Sequence, residues 1–444
     1  MSNFSLDKIS KLRLLKNIKY ETIQVISSLL IQLIFPLAMI SIFGVYNFGN
    51  FIFFITILSL LDIFKLNINS FGIQKMSYFF NLKKSEDVKV VLRNCSSILL
   101  VNSILIIFVF LLLINGIDYF ANIFNIFNII NINIIFIFIL INFCINTFIQ
   151  IFTIGISYKG ELYKHYNLTT LNVLSSRILI VIIGFFIKDF LITFYIFTVV
   201  NFLFFIFYYY EFKKNFLFDH LFPTIKSISF FKKNIKKIFS FSNELTSKNI
   251  KNNLQLFFIG ILFSSEAIAL ISTAKTLFYF LPLRVATIFI NNFNYEYLRL
   301  FTKNKMKKIR YIYIKQVIYI SLFAASIVFL GSFLGKDIYS YWLKENIKIT
   351  NLLIILILVD VSLTLIYEAS IVYFKSINKF FSFSLVRIIF EVLVIVIFFI
   401  GNNFYNFNYE VLFVLNIINF SLLATLSLLM TLKKIKKYFN FYIF

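Results

Sequence analysis

Apolar runs of about twenty residues, separated by short polar stretches rich in Lys and Asn, repeat along the whole chain. A helix rises about 1.5 Å per residue, so each run is long enough to cross the roughly 30 Å hydrocarbon core of a bilayer. The pattern predicts six spans at residues 21–43, 48–69, 95–115, 132–156, 168–187 and 190–210. Six more follow at 252–264 (extended back to about 240), 267–291, 317–335, 352–374, 380–400 and 411–432. The expected fold class is therefore an all-α polytopic membrane protein with about twelve transmembrane helices. A polar segment at 211–239 separates a first bundle, 1–210, from a second, 240–444.

Composition agrees. Hydrophobic residues make up 60% of the chain and charged residues 14%, with 3 prolines, and the mean hydropathy is +0.89. That is more apolar material than a water-soluble core needs. The net charge of +24 would suggest nucleic acid in a soluble protein. Here the bases fall in alternate short connections, as they do on the cytoplasmic side of membrane proteins. Lys8 to Lys19, Lys75 to Arg93, Lys159 and Lys164, Lys213 to Lys251, Arg299 to Lys315, Lys375, Lys379 and the tail "KKIKK" lie on one side. Only Lys188, Lys336, Lys344 and Lys348 lie on the other. This places both termini in the cytoplasm and the chain in the cytoplasmic (inner) membrane, with anionic lipid headgroups rather than nucleic acid as the neighbours of its bases. The first apolar run has span length and no small-residue cleavage site, so it is expected to remain as a helix.

The sequence shows no catalytic motif. Cys95 and Cys144 have no metal-like spacing and are read as small buried hydrophobes, and His165 and His220 fall in connections. No phosphate loop or nucleophile–base set is present, so neither an enzyme, a metal nor a bound cofactor is expected beyond coupling to H⁺ or Na⁺.

An internal repeat divides the chain. "YKGELYKHYNLTTLNVLSSRILIVIIGFFI" leads into the fifth span and "YFKSINKFFSFSLVRIIFEVLVIVIFFI" into the eleventh. Lys159 and Lys375 are 216 positions apart and Arg177 and Arg387 are 210 apart, near half of the 444 residues. Two six-span halves follow. Because six is even, both halves enter from the same side and form parallel repeats. The 211–239 segment, with Pro223 and an amphipathic pattern, is expected to lie as a strap on the headgroups.

The turn "FGVYNFGNFIFF" at 43–54, "SFG" at 70–72, the connection "YKGELYKHYN" and the stretch "NNLQLFFIGILFSSEAIALIST" together resemble the Wzx-type polysaccharide-repeat flippases. These belong to the multidrug/oligosaccharidyl-lipid/polysaccharide exporter superfamily. The resemblance, one of layout and small motifs over essentially the whole chain, implies two parallel six-helix bundles around a central cavity. It also implies alternating access and a lipid-linked oligosaccharide as cargo for O-antigen or other lipopolysaccharide assembly, with membrane lipids and other polysaccharide-assembly membrane proteins as partners. A small-molecule or multidrug exporter of the same superfamily shares the fold and is the alternative. A saccharide polymerase or ligase stands third, because the outer connections "GIDYFANIFNIFNIININ" and "KDIYSYWLKENIKIT" hold few nucleophiles.

A pyrophosphate headgroup needs fixed cations, since Arg and Lys donate charge-assisted hydrogen bonds to phosphate oxygens. The resemblance places them on the second and eighth helices, where this chain has Lys65, Lys275 and Arg284; Arg177 is a further candidate. Lys65 either faces the cavity or snorkels to the interface, with Asp62 as an i,i+3 partner. Lys275 and Arg284, nine residues apart, point to opposite faces unless Pro282 kinks the helix. Arg387 has Glu391 one turn on and is expected to pair with it. Asp360 has no base within four residues; with Glu368 and Asp62 it is the candidate for ion coupling, or else a buried structural acid.

Overall fold

The computed structural model describes residues 8–114, 132–216, 226–302, 305–344, 347–376 and 380–440. These residues are almost entirely helical, with no strand among them. In hydrocarbon every backbone N–H and C=O must be bonded within the segment, and long apolar stretches satisfy that requirement as helices. The chain forms two compact units, Met1–Asn249 and Ile250–Phe444.

The first unit contains α1 (Lys8–Phe64), α2 (Asn69–Asn81), α3 (Ser85–Ile114), α4 (Ile132–Ser157), α5 (Leu162–Ile187), α6 (Ile192–Lys213) and α7 (Lys226–Asn249). Helix α1 carries two of the expected spans. It breaks at Gly44, whose φ of 81° and ψ of 168° only glycine adopts readily. The Asn47 side chain donates to the Phe43 carbonyl at 3.0 Å and so occupies an acceptor next to the break. The second piece ends at Phe64, five residues before the expected boundary at 69, so Lys65 lies just past the helix end and not within it. Helices α1 and α5 pack together, as do α4 and α6, and the core gathers Ile68, Met76, Leu92, Leu99, Phe152 and Phe212. Gly155 lets α6 come close: a Cβ there would stand 2.6 Å from the Phe212 ring.

The strap expected over 211–239 divides. Residues 217–225, with Pro223 and His220, lie outside the described residues, and 226–239 belong to α7, which packs on α1, α2 and α3. Its inner face carries Ser227, Asn234 and Ile238, and its outer face exposes Lys232, Lys233, Lys236 and Lys237 together with Ile228 and Ile235. Lys75 of α2 donates to Asn234 Oδ1 at 3.0 Å and lies 4.4 Å from the centre of the Phe230 ring. Burial, reinforced by Lys237 and Lys233, holds its pKa below the ordinary lysine value.

The second unit begins with a π-helical turn, Ile250–Leu254, followed by α8 (Gln255–Leu262), α9 (Ser265–Lys275), a second π turn (Thr276–Phe280), α10 (Leu281–Thr302), α11 (Met306–Leu343), α12 (Asn351–Ser376), α13 (Phe381–Tyr405) and α14 (Tyr409–Asn440). The Ser264 side chain caps α9 by accepting from Ala267 N at 3.1 Å. Helix α12 is the centre of the unit, packed by α10, α11 and α14. Among the described residues ten helices are long and apolar enough to cross a membrane. Counting α1 as two spans and adding the short stretch 250–262 gives the about twelve that the hydropathy pattern predicts. Most of the outer connection at 116–133 lies outside the described residues.

Candidate functional site

The charged residues of the spans gather in each unit separately. In the first, Lys65 sits in the turn after α1, held by the bond from its backbone N–H to the Asp62 carbonyl at 3.3 Å. Its Nζ is 3.8 Å from Asp62 Oδ1 and 5.0 Å from the centre of the Phe143 ring. The Lys65 side chain is 2% exposed, so it does not snorkel to the interface, and Asp62 beside it is about one-third exposed. At 3.8 Å the pair is an ion pair without a hydrogen bond.

Arg177 of α5 has a different environment. Its guanidinium lies against three rings, 4.5 Å from the centre of Phe35, 5.3 Å from Phe51 and 5.7 Å from Phe197. Its Nη1 is buried and makes no hydrogen bond. Cation–π contact compensates part of its desolvation. A polar layer runs across α4, α5 and α6: Asn142 donates to Thr198 Oγ1 at 2.7 Å, Asn201 to Asn142 Oδ1 at 2.7 Å, and Asn172 to Asn201 Oδ1 at 3.0 Å. His165 also lies inward, its Nδ1 3.0 Å from the Tyr208 hydroxyl.

The second unit holds a larger network on α12 and its neighbours. Asp360, without a base nearby in sequence, has one in space: Lys251 Nζ donates to its Oδ1 at 2.7 Å and to Thr364 Oγ1 at 2.8 Å. The side chains are 1% and 0% exposed, and the ammonium lies 3.6 Å from the centre of the Phe420 ring. Charge patterning counts Lys251 with the cytoplasmic bases, but the structure buries it within the unit. Its signal in the sequence is weak, since "SKNIKNNLQLFF" reads as a basic loop running into a span.

Glu368, two turns along α12, accepts from Arg387 Nη1 at 2.8 Å and from Lys375 Nζ at 2.7 Å. Arg387 therefore pairs across helices. Its expected partner one turn on, Glu391, forms an ion pair with Nε at 3.9 Å that carries no hydrogen bond. Lys275 is fully buried at the end of α9, with Gln255 Oε1 and the Lys251 carbonyl each 3.4 Å from Nζ. Gln255 and Asn416 exchange amide hydrogen bonds at 2.8 and 3.1 Å, a pair that the sequence reading does not anticipate.

Both π turns fall at these lysines. Lys251 lies inside the first, and Lys275 immediately precedes the second. A π turn opens the ladder by one residue and is frequent at functional positions. The second has a local cause in Pro282, which lacks an N–H: just before it, Leu281 N–H bonds back to the Thr276 carbonyl, five residues earlier. Lys275 is drawn into the unit, whereas Arg284, beyond the turn, is half-buried and has no ion-pair partner among the described residues. Repeat-related Arg177 and Arg387 thus occupy unlike settings, an aromatic cage and an acid pair.

No family model and no curated protein matches the sequence. Solved structures do match over nearly the full length. The MATE transporter VcmN of Vibrio cholerae superposes with a TM-score of 0.61 at 12% identity, covering 96% of this chain and 98% of that one. An inward-facing multidrug resistance MATE family transporter of the MOP superfamily gives 0.58 at 10% identity, with 94% of each chain covered. A MOP superfamily transporter from Pyrococcus furiosus, described as having a binding pocket of reverse polarity, gives 0.50 at 11%, over 96% of this chain and 94% of that one. At these identities the likeness is one of fold, and the chain is a multi-pass membrane protein with the fold of the MATE transporters of the MOP superfamily.

Proposed function

We propose that this chain is a transporter of the cytoplasmic membrane that works by alternating access, exporting amphipathic small organic molecules against exchange of a cation, H⁺ or Na⁺. The observation that carries the reading is the pairing of most of its buried cations with acids. Lys65 is held beside Asp62, Lys251 is bonded to Asp360, and Arg387 to Glu368. Lys275, without an acid in hydrogen-bonding reach among the described residues, is buried against Gln255 and a carbonyl. Few cations remain to grip a pyrophosphate, whereas an organic solute needs mainly apolar walls with a few polar points. The full-length fold likeness to multidrug MATE transporters supports the same choice.

A specific observation favours a second reading, a flippase for a lipid-linked oligosaccharide in cell-surface polysaccharide assembly. Arg177 of the first unit and Arg284 of the second each have no acid partner among the described residues, and a guanidinium without an acid suits a phosphate. Expression in cells stripped of their own drug exporters separates the two. The exporter reading expects lower retention of a fluorescent organic dye, with loss of the effect in Asp360→Asn. Unchanged retention at normal abundance, with surface polysaccharide restored in a flippase-deficient strain, would replace it by the flippase reading.

A further inference from the structure

Among the described residues, the hydrogen-bonded ion pairs of the second unit leave one acid over. Its buried cations among the described residues are Lys251, Lys275 and Arg387, and its buried acids are Asp360, Glu368 and Glu391. Lys375, at the edge with its side chain 18% exposed, joins through Glu368. Asp360 takes the Lys251 ammonium, and Glu368 takes both Arg387 and Lys375. Glu391 takes no hydrogen bond from a cation: the residue is 0% exposed, and neither carboxylate oxygen has a hydrogen-bond donor among the described residues. Its ion pair to Arg387 Nε, at 3.9 Å, lacks a hydrogen bond, and that guanidinium donates through Nη1 to Glu368. Lys275 is the matching leftover on the basic side, with no acid in hydrogen-bonding reach among the described residues and two long contacts to neutral oxygens.

We infer that Glu391 is a proton-binding site of the second unit, and that it, rather than Asp360, carries the proton exchanged during transport. The inference rests on the transporter reading only for the word transport. A buried carboxylate with no donor is costly, and a proton taken from the aqueous side turns it into a carboxylic acid and removes that cost. Asp360 and Glu368 have no such need, because each accepts a charge-assisted hydrogen bond at 2.7 or 2.8 Å. The charged groups acting on Glu391 come from every side. Lys251 comes from the first π turn, Lys275 from α9, Asp360 from α12 and Arg387 from its own helix. With the pairs closed, the buried groups balance, three cations to three acids, while Glu391 is ionised; a bound proton adds one positive charge to the unit. Separation of Lys251 from Asp360 would free an ammonium for Glu391 and expel the proton. The π turn that carries Lys251 supplies a backbone able to shift by one residue, so protonation and rearrangement of this unit are linked.

Infrared difference spectra of the full chain in lipid nanodiscs test this without any cargo, so the result stands whether or not the exporter reading does. As the pH falls toward, but stays above, the ordinary Glu value of about 4.3, the wild type should develop a carboxylic-acid C=O band. The band should vanish in Glu391→Gln, shift in frequency in Glu391→Asp, and persist in the control Glu410→Gln. In Asp360→Asn, where the Lys251 ammonium is released, its onset should move to lower pH; a purely structural Glu391 would not respond. A wild-type spectrum without the band, or a band that survives Glu391→Gln, overturns the inference. If Glu391→Gln fails to fold, Glu391→Asp with an unshifted band does the same.

Discussion

Replacing Lys251 by methionine removes one half of an ion pair that the second unit encloses completely. Lys251 and Asp360 are 2.7 Å apart, with side chains 1% and 0% exposed. Asp360 Oδ2 already lacks a donor, so Lys251→Met leaves the carboxylate with no side-chain donor at all. Breaking a buried pair by deleting one partner costs about 3–5 kcal/mol. The second unit runs from Ile250 to Phe444, and for a domain of that size each kcal/mol lowers Tm by about 2–4 °C, so the expected fall is roughly 6–20 °C. Trp342, the sole tryptophan of the chain, lies in α11 of this unit and reports its unfolding by fluorescence in detergent. The double variant Lys251→Met, Asp360→Leu removes both charges and should recover most of the loss, because a buried pair replaced by apolar groups is often neutral or stabilising. A Tm for Lys251→Met within about 2 °C of wild type, or a double variant less stable than either single one, would refute the reasoning.

Gly44→Ala should lower stability by about 1–3 kcal/mol even though nothing lies within 4 Å of the added Cβ, because φ of 81° with ψ of 168° strains any other residue; thermal unfolding checks it, and an unchanged Tm speaks against a fixed break in α1. In a background without Cys95 and Cys144, a cysteine at Lys232 on the exposed face of α7 should react only with reagents that reach the cytoplasm. Labelling from the outside would invert the topology.

Span number and all-helical class were legible in the sequence because hydrocarbon admits few alternatives. A run of about twenty apolar residues without internal charge has to be a helix. The repeat around Arg177 and Arg387 was visible for a similar reason, since covalent spacing survives in one dimension. Partners were not legible. Asp360 looked solitary because its base lies 109 positions away, and Lys251 looked like a loop residue because a charge at a span's edge carries no mark of which way it turns. The Arg387–Glu391 ion pair followed from helical spacing and is present at 3.9 Å, but the shorter, hydrogen-bonded contact across helices with Glu368 was not legible. Local periodicity fixes only which residues share a face of one helix. Which faces meet, and so which charges neutralise one another in a low-dielectric interior, is settled by the packing of α12 against its neighbours, and the tertiary structure alone decides it.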